Sequence, residues 1–150
     1  SAAPGAQPWK ENIAEAITFL GLELPVDIAL DPRSKFQRGV HRPSPEHPLL
    51  TLRAGRIYGG QHVMSTDAAW SHSIRIASKQ TPEQMGETIW HELVHAMQFE
   101  RESAFYEGTV HDVLVRWVAA YRDGTAYAVK PREIEANAYM AYNNELPLAR

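Results

Sequence analysis

The segment running from Thr81 to Gln98 leaves this chain the fewest choices, because every local signal in it asks for a helix. Thr81 has the hydroxyl of an N-cap, Pro82 suits the first helical position, and Gln84 stands three residues after the cap, where its amide can return a hydrogen bond to the cap. From that start Met85, Ile89, Trp90, Leu93, Val94, Met97 and Gln98 recur at three- and four-residue spacing. Such a pattern buries a helix through its middle. Into this apolar stretch the sequence sets His91, Glu92 and His95. Residues i and i+4 share a helix face, so both imidazoles can reach one metal ion while Glu92 addresses the water bound to it. The plainer alternative is a pair of core histidines hydrogen-bonded to backbone or carboxylate.

A four-coordinate catalytic zinc takes three protein ligands and keeps its last position for water. Three residues compete for the third place. Glu133 lies on a second expected helix that opens at Pro131 and offers Ile134, Ala138 and Ala141 as a buried face. His111 and its neighbour Asp112 stand near the start of another, which carries Val113, Leu114, Trp117 and Val118.

With these residues in view, the chain resembles the gluzincin metallopeptidases, in which HExxH is followed on a second helix by a Glu ligand and, four residues later, a polar side chain. Glu133 and Asn137 match that spacing, and Glu-Ile-Glu-Ala-Asn-Ala-Tyr over 133–139 looks like the ligand helix of the small lethal-factor-like and ImmA-like members. The resemblance implies a small α+β zincin-like domain in which a mixed or antiparallel sheet edge lies beside the HExxH helix and a C-terminal ligand helix. It implies one Zn2+ held by His91, His95 and Glu133, with Asn137 supporting a ligand from behind. Many members have Asp where this chain has Asn137. Glu135, about 200° around the helix from Glu133, faces elsewhere and is the substitute only if the register shifts.

A rival resemblance is to SprT-like metallopeptidases, whose helix also reads His-Glu-Leu-x-His-Ala, as here from His91 to Ala96. Their third ligand is a downstream His, which His111 would supply. That family has Gly after this ligand and an aromatic four residues on; here Asp112 and Val115 occupy those places.

The chemistry expected of the gluzincin set is peptide-bond hydrolysis. Zinc brings the pKa of its water toward about 7, and Glu92 serves as general base and then as acid to the leaving amine. Developing charge on the carbonyl oxygen calls for a further donor, and Tyr127, in a Gly-Thr-Ala-Tyr turn ahead of Glu133, is the first choice. Its bland alternative is a tyrosine packed at a loop edge. Tyr106 and His111 are lesser candidates. A non-catalytic metal-binding regulator or partner-binding module is the reading from another class; Glu92 argues against it, since a structural site has no use for a general base. The SprT-like reading predicts a protease directed at nucleoprotein.

Composition narrows the setting. With 150 residues, 44% of them hydrophobic, the chain has enough apolar surface for one core, so residues 1–150 are expected to form a single domain behind a loose tail at 1–8. A net charge of −3 provides no basic footprint for nucleic acid, and the expected partner is a peptide or protein substrate met by a monomer. The absence of cysteine excludes disulfides, Cys-based zinc sites and a Cys nucleophile. Residues 1–8 lack the charged and apolar regions of a signal peptide, and no run approaches the length of a membrane span, so a soluble protein, cytoplasmic by preference, is expected.

Elsewhere, Ile13, Ile17 and Leu20 give a helix over 9–20 its apolar stripe, and 25–30 alternates as a strand does. Four prolines between 31 and 48 point to a long loop, where His41 and His47 read as exposed. Strands are expected at 49–52, 56–58 and 73–77, with turns at Ala54-Gly55 and Gly59-Gly60. By the zincin resemblance, the strand at 72–77 lies at the cleft edge and pairs with an extended substrate, with Gly59, Gly60 and His62 nearby. The charge run Glu100-Arg101-Glu102 reads as a solvated helix end, and Trp9, Trp70, Trp90 and Trp117 as packing residues.

Overall fold

The computed structural model describes residues 8–31, 60–64, 72–77, 79–106 and 110–149. The chain is α+β: α1 (Pro8–Leu20), β1 (Val26–Asp31), β2 (Gly60–Met64), β3 (His72–Ala77), α2 (Pro82–Tyr106), α3 (Val110–Tyr121) and α4 (Pro131–Tyr139), with short 3-10 turns at Tyr127–Val129 and Met140–Asn144. The expected strands at 49–52 and 56–58, the loop histidines His41 and His47, and Trp70 lie outside the described residues.

Helix α2 begins as its sequence demands. The Thr81 N–H donates to Gln84 Oε1 (3.0 Å) and the Gln84 N–H donates to Thr81 Oγ1 (3.1 Å), a reciprocal cap that satisfies two otherwise orphaned amides. Through its middle the helix is buried on nearly every side. Ile89, Trp90, Leu93 and Val94 join Ile13, Ala16 and Leu20 of α1, Ile74 and Ile76 of β3, Ala136 of α4 and Leu148 in one core. Burial of these aliphatic and aromatic side chains, each worth about 1.5–3 kcal/mol, makes α2 the axis around which the other elements assemble. Helix α1 ends at Gly21, whose φ of 71° lets Leu22 N–H turn back to the Ile17 carbonyl (3.2 Å).

The sheet is mixed, in the order β1-β3-β2. β1 runs parallel to β3 with Ile28 beside Ile74, and β2 runs antiparallel to it with His62 beside Ile74. This corrects two expectations. The strand at 72–77 is the central strand among the described residues and has no open edge for a substrate; its buried His72, Ile74, Ile76 and Ala77 suit a strand covered by neighbours. Gly60, expected in a turn, opens β2 instead.

The charge run is also corrected. α2 continues past it to Tyr106, and each of its three residues ties down another part of the chain. Glu100 accepts from the backbone N–H groups of Glu23 (2.8 Å) and Leu24 (3.3 Å) and meets His72 Nε2 at 2.6 Å. Arg101 pairs with Glu135, and Glu102 with both Arg132 and Trp117. A second cluster of Phe99, Val113 and Trp117 lies beneath these contacts, with the Phe99 and Trp117 rings stacked 3.9 Å apart.

Beyond α4 the chain folds back over α2. The crossing is close at Gly86, where an added Cβ would come within 2.2 Å of the Asn143 side chain. Trp90 Nε1–H donates to the Leu146 carbonyl (3.1 Å) and Asn12 Nδ2–H to that of Pro147 (2.7 Å), which fastens the C-terminal segment to α2 and α1.

Candidate metal centre

One turn apart on α2, His91 and His95 point to the same side, as i and i+4 residues must, and their Nε2 atoms are 3.1 Å apart. Opposite them stands Glu133. It enters from the first turn of α4, where Lys130 is the N-cap and Pro131 the first helical residue. Its Oε1 lies 3.0 Å from His91 Nε2 and its Oε2 lies 3.0 Å from His95 Nε2. Lys130 fixes this approach: its Nζ is buried and donates to the Ala120 carbonyl (2.7 Å) and to Asp123 Oδ1 (2.9 Å), which binds the end of α3 to the start of α4. Tyr121, the last residue of α3, donates its hydroxyl to Glu133 Oε2.

His91, Glu92 and His95 have ligand atoms within 4.8 Å of one another, all buried, and this group could hold a metal ion. Two features test whether the residues suit one. Donor atoms around a four-coordinate zinc at 2.0–2.1 Å stand about 3.3 Å apart, close to the separations among His91, His95 and Glu133. Second, neither carboxylate oxygen of Glu92 has a hydrogen-bond partner among the described residues, although both are fully buried. A buried carboxylate without a partner is costly unless water or a cation satisfies it. Both features fit a metal with bound water. Of the two carboxylates, Glu133 is the one within contact of both imidazoles, while Glu92 is turned toward no protein donor.

The electrostatics agree. Burial pushes the Glu92 carboxyl up to about 8, with the Glu133 charge adding to the rise and His95 opposing it. Burial works against a charged His95 ring, but the facing Glu133 carboxylate overrides it and raises the pKa to about 9. His91 moves the other way: burial lowers it, and its nearness to His95 adds to the effect against the pull of Glu133. The two rings thus compete for a single positive charge. Burial also opposes ionisation of Glu133, yet the two histidines hold its pKa well below the usual carboxylate range.

Among the residues singled out in the sequence, His91, Glu92, His95 and Glu133 come together. Asn137, one turn beyond Glu133, lies close enough to His91 to favour its charged form slightly. Tyr127 stands against Tyr121, with ring centroids 5.9 Å apart, and the pKa of its hydroxyl is raised by burial and by the nearby Glu133 carboxylate. Glu135 faces away from the centre, as helical geometry requires. Asp112 is exposed and lies outside the buried group. His111 falls in the first turn of α3, Tyr106 ends α2 and His62 belongs to β2, but their side chains are outside the described residues.

Sequence reasoning missed two residues. Tyr121 bears on Glu133 through a contact between helices that no local motif announces. Gln98, expected as part of the apolar stripe, is a buried amide whose Oε1 lies 2.8 Å from His95 Nδ1. Its place at His95 + 3 was the available signal. Trp117, expected as packing, does pack, and its ring also meets that of His95 edge-on at 5.5 Å.

Compared with known proteins, the chain matches no family profile, no curated protein and no solved structure. Fold and site define the class coarsely: an α+β protein with a buried His-Glu-His group that could hold a metal ion. No helix among the described residues is long and apolar enough to cross a membrane.

Proposed function

We propose that this chain is a zinc-dependent metallopeptidase of the zincin kind, with His91, His95 and Glu133 as ligands and Glu92 as general base. The observation that carries this reading is the Glu92 carboxylate, buried on the ligand helix between the two histidines with no donor on either oxygen among the described residues. A core built for stability alone gains nothing from such a group. When bound, the zinc ion supplies a Lewis acid and makes its water acidic enough to be deprotonated near neutral pH.

The residues divide the remaining work. Glu92 takes the proton of the attacking water and delivers it to the leaving amine of a peptide; burial pushes its pKa up to about 8, and a nearby cation would bring it down toward the range where uptake and release are both accessible. Tyr121 holds Glu133 in place through its hydroxyl. Tyr127 is assigned to the carbonyl oxygen as negative charge develops there, since burial and Glu133 keep its hydroxyl protonated and able to donate. The substrate class is a peptide or an extended segment of a protein.

Metal content by mass spectrometry on wild type, Glu133→Ala and His111→Ala tests the ligand set, and a peptide-library cleavage screen tests the activity. Zinc near one equivalent in wild type and His111→Ala, and its loss in Glu133→Ala, is the expected result. Loss confined to His111→Ala would transfer the third-ligand role to that residue and favour the SprT-like reading. A wild-type chain that refuses zinc would sink the proposal.

A further inference from the structure

We propose that Gln98 is a positioning residue that fixes which nitrogen of His95 is presented to the metal. The inference rests on the zinc-site reading above and adds to it a residue outside the ligand set. Its basis is the direction in which the Gln98 amide must point. Gln98 Nε2 lies 3.0 Å from the carbonyl oxygen of Arg132 and 2.8 Å from Glu135 Oε1. A backbone carbonyl can only accept, so the NH2 end of the amide must face it. Gln98 Oε1 is thereby left facing His95 Nδ1 at 2.8 Å, and an amide oxygen can only accept. Nδ1 must therefore carry a hydrogen.

The consequence falls on the other side of the ring. With Nδ1 as the donor, the Nε2 of a neutral His95 is a bare lone pair, and it faces Glu133 Oε2 at 3.0 Å and His91 Nε2 at 3.1 Å. Lone pairs at these distances repel unless a proton or a metal ion lies among them. Gln98 thus prepares the electron-rich pocket that a metal fills, and it does so from inside the protein, being fully buried. Glu135 is held from outside by Arg101, whose Nη1 and Nη2 lie 3.1 Å and 2.7 Å from its two oxygens. The chain His95, Gln98, Glu135, Arg101 connects the centre to a surface ion pair, and the Arg132 carbonyl comes from the residue next to Glu133. One amide therefore registers the ligand helix α2 against the helix that delivers the third ligand.

The experiment compares zinc affinity, by competition with a chromophoric chelator, in wild type, Gln98→Leu and the double variant Gln98→Glu/Glu135→Gln. The double variant exchanges amide and carboxylate between the two positions, so an acceptor still faces Nδ1 and a donor still reaches residue 98 from position 135, while the bond to the Arg132 carbonyl is lost. Thermal melts accompany each measurement, and long-range 1H–15N NMR of the wild type with and without zinc reads the protonation of the two His95 nitrogens. Expected are a loss of about 10–100-fold in affinity for Gln98→Leu, partial recovery in the exchange variant, which restores the acceptor on Nδ1 but not the bond to the Arg132 carbonyl, and a wild-type zinc complex with hydrogen on Nδ1 and metal on Nε2. Wild-type affinity in a folded Gln98→Leu, or zinc on Nδ1 in the wild type, would overturn the assignment while leaving the zinc site intact. A wild type that takes up no zinc overturns the site reading and this inference together, so the two failures are told apart by the wild type alone. If Gln98→Leu does not fold, the exchange variant and the NMR signature still decide.

Discussion

The middle of α2 and its last turns carry the same residue type to opposite ends. Glu100 and Glu102 are both partnered: one accepts from two backbone amides and faces His72, the other binds Arg132 and the Trp117 indole. Glu92, two turns earlier and more deeply buried, has no protein donor on either oxygen among the described residues. The difference separates carboxylates that hold the helices together from one that contributes no such contact among the described residues. It also shows that charge on this helix is not a mark of solvent exposure.

The sharpest way to break the comparison is Glu92→Gln. If the wild-type carboxylate is a functional group held against its own solvation, the variant keeps zinc, loses peptide cleavage by about 10²-fold or more, and melts no lower than wild type. A clear fall in Tm with metal still bound would mean that Glu92 has a structural partner after all.

Glu102→Ala should have the opposite sign for stability. It leaves the Arg132 guanidinium and the Trp117 N–H without their acceptor in a partly buried setting, so a loss of about 1–3 kcal/mol is expected in urea unfolding. An unchanged midpoint would demote the contact to a surface pair.

A lesser stability effect is expected from Thr81→Ala, which removes the side-chain half of the cap of α2 at an exposed end. The expected cost is about 1 kcal/mol, read as a shifted unfolding midpoint at unchanged slope.

The smallest effect tests the sign of the electrostatics. Burial alone would raise the Glu100 carboxyl, but bonds from His72 and the backbone of Glu23 and Leu24 outweigh it, so its pKa is lowered in the folded chain. A depressed carboxylate stabilises the fold above its unfolded pKa, ordinarily 4.5, and that contribution disappears as pH falls through the folded value. Wild type should therefore exceed Glu100→Gln in stability at pH 6–7 by a constant margin that shrinks below about pH 4.5. A margin that grows on acidification would reverse the assignment.

How much of this was legible in the sequence depended on the range of the interaction. The cap of α2 is written within four residues, and its apolar spacing within eighteen positions, so both the helix and its inward histidines could be read directly. β1 and the strand at 72–77 were visible as alternation, but whether a strand is central or at an edge depends on partners far away in sequence, and β3 was misplaced for that reason. The charge run looked like a helix end because its acceptors and donors come from β3, the segment after α1, and α4. Glu133 was singled out by resemblance, and periodicity misled on α4: Ile134, Ala138 and Ala141, expected as its buried face, are exposed, while Glu133 and Ala136 are buried. Tyr121 had no local mark, and Gln98 had only its place three residues after His95, which looks like any other member of a stripe until the carbonyl that orients it is known.

The Lys130 clasp between the end of α3 and the start of α4 has a consequence for metal uptake. In an unfolded chain, one ion joining the α2 histidines to Glu133 would have to close a loop of about 40 residues, which costs about 3 kcal/mol in chain entropy. Here that closure belongs to folding, because Glu133 is already in place, fully buried and bonded to Tyr121. An ion bound there would therefore meet a preorganised site, and its binding free energy would appear as added resistance to heat that grows with the logarithm of the free metal concentration.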